Sequence, residues 1–167
     1  TAHVYTEDNV FDVKLTVTNN LGCSDDTLVE YTISTPRAGF MSDSVCFGDL
    51  VFFNDTSSSA TYPITDWYWD FDDGNTSQAE DTVYNYQSHG LYNVMHVAFN
   101  SMGCSDTAYN YVLVDTLPVA DFSHTVSCLG QLTCFTDESV SNSDTLTDWY
   151  WYFGDGKIST LQNPCHM

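Results

Sequence analysis

The stretch DFDDGN, residues 70–75, places Asp70, Asp72 and Asp73 almost side by side. Carboxylates this dense are the raw material of a calcium loop, which needs oxygen ligands at set positions and usually one bidentate acid. The related stretch YFGDGK, residues 152–157, puts Lys157 where a ligand would stand, so a solvated turn is the favoured reading of both. CHM at 165–167 holds three soft metal ligands. Adjacent residues of a strand point to opposite faces, so these cannot grip one ion. No GxSxG, HExxH, phosphate-loop or dinucleotide-binding glycine pattern occurs, and the five histidines stand at unrelated positions. The expectation is a chain that is not an enzyme, with no catalytic residue and no cofactor apart from the calcium option.

The elements that position these groups have a period of two. In FDVKLTV, Phe11, Val13, Leu15 and Val17 share one face, and Asp12, Lys14, Thr16 and Thr18 the other. That predicts a strand with one side buried. WYWDF alternates likewise, with Trp67, Trp69 and Phe71 inward. LVFF at 50–53 and AYNYVLV at 108–114 read as further strands, with turn signals at DDGN, HG and SMG between them. Nothing reads as a helix of three turns. Short strands at this spacing predict an all-β chain of antiparallel sandwiches.

DWYWDFDDG at 66–74 returns as DWYWYFGDG at 148–156, an offset of 82. Pro36, Phe40, Cys46 and Gly48 return as Pro118, Phe122, Cys128 and Gly130 at that same offset. NNLGCSD at 19–25 returns as NSMGCSD at 100–106, now at 81. Repetition of this kind marks tandem modules. It divides the chain into the back half of one module (1–34), a complete module (35–115) and the front half of another (116–167). The same periodicity predicts a piece of a longer array, with Tyr following Met167, as Tyr5 and Tyr86 occupy that place.

WDFDDG and WYFGDG, followed by HGLYNV and NSMGC, resemble the PKD (polycystic-kidney-disease) domain, as do NPCHM and TAHVY. The pattern of that family is a WDFGDG strand and turn, then a P-x-H-x-Y segment, then a G-x-Y-x-V-x-L-x-V-x-N strand. Asp72 stands where the family has Gly, Tyr152 where it has Asp, His96 where it usually has Leu, and Thr1 where Pro is usual. The resemblance implies tandem immunoglobulin-like antiparallel β-sandwiches and no reaction, because such modules mostly act as spacers, adhesive segments or accessories of secreted enzymes. Some members bind Ca²⁺.

The repeat places one cysteine after the first strand of a module and one at the start of its last. The expected bridge is Cys46 to Cys104, closing a loop of roughly 60 residues and contributing about 4 kcal/mol. Cys23 and Cys128 would then pair outside residues 1–167. Cys134 and Cys165 replace Phe52 and Val83 of the complete module and are expected to bridge each other.

Tyr68, Tyr150 and Tyr152 point outward and are candidates for a platform under sugar or aromatic rings. Met95, Val97 and Phe99 occupy outward places that are Lys14, Thr16 and Thr18 in the first repeat. Three apolar residues there predict a lateral contact. Asn54 and Asn75 open N-glycosylation triplets. Asp followed by Ser or Thr and a small or apolar residue recurs at Thr27, Ser44, Thr82, Thr107, Thr116 and Thr145. This triplet resembles the O-glycosylation site of exported Bacteroidota proteins. Tandem arrays of this type resemble giant surface proteins of those bacteria that leave by type IX secretion.

The formal charge is −20, with only three basic residues, which excludes nucleic acid and anionic lipid as partners. No run is long enough to span a membrane. Six cysteines in such a composition point to an oxidising, extracellular setting. The leading expectation is a structural or adhesive segment of a long extracellular cell-surface protein or filament. Its partners would be neighbouring modules, a second copy or another surface protein, and polysaccharide. The alternative is a spacer or carbohydrate-binding accessory of a secreted hydrolase.

Overall fold

The computed structural model describes residues 2–167; the expectation attached to Thr1 lies outside them. The described residues are all strand, turn and loop. Chain contacts divide them into two compact units. The first holds residues 2–43, 50–85 and 91–113 of those described; the second holds 44–49, 86–90 and 114–167.

The first unit begins with a hairpin, β1 (Asn9–Thr18) and β2 (Ser24–Ile33). The strands pair antiparallel in unbroken register from Asn9↔Ile33 to Thr18↔Ser24. Asn19 closes the turn: its side-chain oxygen accepts from Leu21 N and Cys23 N. The expected buried face is not buried. Val13, Leu15 and Val17 are 45%, 60% and 57% exposed, because no second sheet covers them.

The short strands β3 (Phe40–Met41) and β4 (Val45–Cys46) follow, then β5 (Val51–Asp55) and β6 (Ile64–Asp70). After the acidic turn come β7 (Thr76–Ser77), β8 (Thr82–Tyr84) and the long pair β9 (Gly90–Asn100) and β10 (Ser105–Asp115). One sheet runs β4-β10-β9-β6-β7 and another β3-β5-β8. β4 joins in parallel, through Val114↔Val45 and Asp115↔Cys46. The alternation sorts side chains as the sequence predicts: Val94, His96, Ala98 and Asn100 of β9 are buried, with Trp69, Phe71, Val51 and Phe53. The two sheets meet through rings, Trp69 lying 5.2 Å from Phe40 and 5.6 Å from Phe53. This is a β-sandwich with an aromatic core.

The second unit continues with β11 (Phe122–His124), β12 (Thr133–Asp137), β13 (Trp151–Tyr152), β14 (Ile158–Ser159) and β15 (Cys165–His166). β11, β12 and β15 form one sheet, and β13 and β14 another.

The turn after β6 carries a specific backbone demand. Asp72 has φ 65°, the one positive-φ non-glycine among the described residues, and Gly154 at the repeated position has φ 85°. Left-handed backbone strains a residue with a Cβ, though Asp tolerates it better than most. Asp72 also accepts a hydrogen bond from Asn93 N at 2.8 Å. Asp72→Ala keeps the strain and loses the acceptor, so a cost of about 1–2 kcal/mol is expected in urea unfolding. Asp72→Gly should cost less than Asp72→Ala.

Candidate functional site

The interior of the sandwich carries a polar cluster centred on Asp55. Asp55, at the end of β5, accepts from Trp67 Nε1 at 2.9 Å, Ser57 N at 2.9 Å and His96 Nε2 at 2.9 Å. His96 is fully buried and stacks on Trp69 with ring centroids 3.8 Å apart. Burial raises the carboxyl pKa of Asp55, but the donors from Ser57, His96 and Trp67 outweigh it, and the net shift is downward. Ser57 Oγ also bonds Gly39 N, and Asp106 accepts from Ala38 N at 2.9 Å, tying the entering chain to the core.

The second unit repeats this arrangement at an offset of 82. Asp137 accepts from Trp149 Nε1 at 2.7 Å and Ser139 N at 3.0 Å. Trp151 Nε1 donates to Leu161 O at 2.8 Å, as Trp69 Nε1 donates to Ala79 O at 2.8 Å. The third donor differs: Gln162 Nε2 reaches Asp137 at 3.1 Å, whereas Asp55 uses His96. Hydrogen bonds from Ser139 and Gln162 lead in holding the Asp137 carboxyl down, to about 2. The sequence reading missed this cluster. Its signal was present, because Asp55 and Ser57 recur as Asp137 and Ser139 within the repeat already aligned.

The acidic turn is occupied by protein donors. Asp70 accepts from Asp72 N, and Asp73 accepts from Asn75 N and from Tyr84 OH at 2.7 Å. The carboxylates brace the turn. Among the described residues, no cluster of three or more His, Cys, Asp or Glu could hold a metal ion. His166 replaces Tyr84 in the second unit, bonding Asp155 at 2.8 Å and stacking on Phe153 as Tyr84 stacks on Phe71.

The cysteines require a correction. Cys46 and Cys104 are free thiols. Cys46 pairs with Asp115 at the far end of β10, while Cys104 precedes the first residue of that strand. Eleven extended residues at about 3.3 Å each hold the two roughly 35 Å apart, well beyond a disulfide's reach. Chain order puts both at the module's edges, but β4 runs parallel to β10 and so places them at opposite ends of that strand. Cys23 and Cys128 are also free and exposed. Cys134 and Cys165 are brought together in a disulfide, opposite each other on β12 and β15 just as Phe52 opposes Val83 on β5 and β8.

The surface candidates divide. Tyr150 and Tyr152 are exposed with rings 5.7 Å apart, but Tyr68 is half-buried, in a groove of about 360 Å³ with Gln78, Glu80 and Phe99. Met95, Val97 and Phe99 are half-buried, so the bare apolar face expected there is partly covered by the chain itself. Val97 lies opposite Tyr68, and Tyr109 OH donates to Met95 Sδ at 3.3 Å. Thr27, Ser44, Thr107 and Thr145 are exposed, as are Asn54 and Asn75; Thr82 is half-buried. The Thr116 hydroxyl is buried, so this fold leaves it no room for a glycan. Asn75 uses its amide nitrogen on Tyr84 OH and Asp73, bonds that a glycan would compete with.

A sandwich whose tryptophan strand runs into an Asp-rich turn, with a buried Asp receiving the first indole, spans the middle of the chain. Residues 34–114 match the family model of the PKD domain. Over 114 residues the chain is 30% identical to the pre-pro-metalloprotease PrtV of Vibrio cholerae serotype O1. That alignment covers 66% of this chain, which spans 12% of the length of that curated relative. Among solved structures, the PKD1 domain of the Vibrio cholerae metalloprotease PrtV is 32% identical, with a TM-score of 0.46, over 49% of this chain and 99% of that one. The PKD1 domain of Vibrio anguillarum Epp is 22% identical, with a TM-score of 0.46, over 50% and 96%. The PKD-matched segment contains the Asp55 cluster, the braced turn and the β9–β10 pair.

Proposed function

We propose that this chain is a non-catalytic structural segment of a long extracellular surface protein or fibre, built from tandem PKD modules. The observation that carries the proposal is the copied hydrogen-bond network, Asp55–Trp67–Ser57 recurring as Asp137–Trp149–Ser139. Its polar groups are spent on holding strands and turns rather than left facing a cleft. In this reading the charge of −20 keeps an exposed array soluble, and the exposed Asp-Thr and Asp-Ser triplets are glycan positions of an exported Bacteroidota protein. The half-buried Met95, Val97 and Phe99 are a secondary lateral contact.

A second reading is favoured by the likeness to the metalloprotease PrtV: a spacer or carbohydrate-binding accessory of a secreted hydrolase. Affinity electrophoresis of the full chain against a panel of polysaccharides separates the two. The structural reading predicts unchanged mobility with every polysaccharide. Retardation that disappears in Tyr150→Ala or Tyr68→Ala would establish the accessory role.

A further inference from the structure

Strand alternation gives β6, β9 and β10 an outer face as well as a buried one. Val112 and Val114 of β10 are buried, so Tyr109 and Tyr111 point outward, and they are 61% and 64% exposed. On β9 the outward residues are Met95, Val97 and Phe99, all half-buried. Each has a directly opposite partner on β6: Asp70 for Met95, Tyr68 for Val97 and Asp66 for Phe99. Opposed residues of an antiparallel pair share a face. Tyr109 OH donates to Met95 Sδ at 3.3 Å, joining the β10 row to the β9 row. Beside β6 the face opens into the groove of about 360 Å³, where Asp66 and Glu80 stand with Tyr68 and Phe99. The complete module thus presents an aromatic and apolar face bordered by carboxylates.

Among the described residues, those carboxylates have no cationic partner. Asp66 accepts from Thr65 Oγ1 at 2.8 Å and Asp70 from Asp72 N at 3.0 Å, both uncharged donors. The ion pairs of the described residues are Lys14–Asp26, His96–Asp55 and His166–Asp155, and none includes Asp66, Asp70 or Glu80. Covering an unpaired carboxylate is costly unless the covering surface brings a cation. That requirement selects the occupant. A second copy would bring the same acids and the same charge of −20. An arginine satisfies both parts of the face, because its guanidinium stacks on a tyrosine ring and pairs with a neighbouring acid. Asp66 and Asp70 are separated by about 13 Å of extended chain, with Tyr68 midway. An extended partner presents alternate side chains about every 7 Å, so Arg at alternate positions sets one guanidinium over Tyr68 and one at each acid.

We infer that this face binds an extended, arginine-bearing segment of another protein. The inference rests on the structural reading, in which Met95, Val97 and Phe99 form a lateral contact, and it names that contact's partner. The aliphatic stems of the arginines cover Val97 and Phe99, and Tyr109 and Tyr111 continue the platform onto β10.

Fluorescence anisotropy of a labelled peptide of alternating Arg and Thr, titrated with the full chain, tests this. The peptide should bind, and its Glu-Thr counterpart should not. Asp66→Asn combined with Glu80→Gln should weaken binding about tenfold or more, through loss of charge-assisted contacts. Both substitutions keep the size and an acceptor oxygen of the side chain, so folding is preserved. Tyr68→Ala should weaken binding about fivefold, while Tyr68→Phe should bind like the parent, because the ring and not the hydroxyl does the stacking. Asp25→Asn combined with Glu30→Gln removes the same charge from exposed positions on β2 and should leave binding within about twofold. Failure of the Arg-Thr peptide to bind would overturn the inference. So would equal weakening by the two double variants, which would show attraction to bulk charge alone, or self-association of the chain that Tyr68→Ala abolishes. Retardation by a neutral polysaccharide that Tyr68→Ala abolishes would overturn it together with the structural reading. Failure of the peptide alone leaves that reading standing.

Discussion

Replacing Asp55 by Ala is expected to cost about 3 kcal/mol or more, because a largely buried acceptor serving several donors is lost. The side chain is 8% exposed and serves three donors: the Trp67 indole, the Ser57 amide and the His96 ring. Removing it leaves all three without that acceptor. His96→Leu should behave very differently, costing about 1 kcal/mol or less, because Asp55 keeps the Trp67 and Ser57 donors and an apolar side chain suits the space between Trp69 and Phe40. Urea unfolding followed by tryptophan fluorescence measures both. Equal losses in the two variants would contradict the assignment of Asp55 as the hub. The pH dependence has a definite sign. The folded pKa of Asp55 lies below its unfolded value near 3.8, so its contribution is fully present above that value and is lost as pH falls through the folded pKa. Stability of the parent chain should be level above about pH 5 and decline below about pH 4, and Asp55→Ala should flatten that acid limb.

The second large effect is expected at Cys165. The Cys134–Cys165 bridge spans 31 residues of the second unit and joins β12 to β15 across directly paired positions. On the chain-entropy relation a loop of this size is worth about 3.7 kcal/mol. Cys165→Ser should therefore release β12 and β15 while leaving the first unit folded. Hydrogen exchange is the direct measurement. Amides of 133–137 should exchange several hundred-fold faster, the ratio equivalent to that energy, while those of β9 should be unchanged. Undiminished protection at 133–137 would show that hydrogen bonds such as Asp137 N to Asn163 Oδ1 hold the sheet alone.

Most of the sandwich was legible because strand alternation and burial are the same information read twice. Trp69 and Phe71 faced inward in the sequence and are buried in the fold; so are Val94, His96 and Ala98. The Cys134–Cys165 position was legible for a related reason. Phe52 and Val83 are a cross-strand pair, and the second unit replaces both members at once. Strand direction was not legible. Cys46 and Cys104 flank the module in sequence, and only the parallel pairing of β4 with the end of β10 shows that they lie at opposite ends. The half-buried state of Met95, Val97 and Phe99 also escaped, because period-two patterning says which face a residue takes and nothing about neighbours such as Tyr68 and Tyr109 that reach over it. The open face of β1 was the reverse case. The pattern correctly grouped Val13, Leu15 and Val17, but grouping does not supply the surface that buries them.

Whether the chain is a repeating structural element of a fibre is measured directly by electron microscopy of the native surface material. The longest strands have eleven residues, about 36 Å of extended chain, which sets the scale of one module. Filaments with an axial repeat of about 36–45 Å, or twice that, are the predicted result. Isolated globular particles carrying at most a short beaded tail would contradict it and assign the chain to the accessory region of a secreted enzyme.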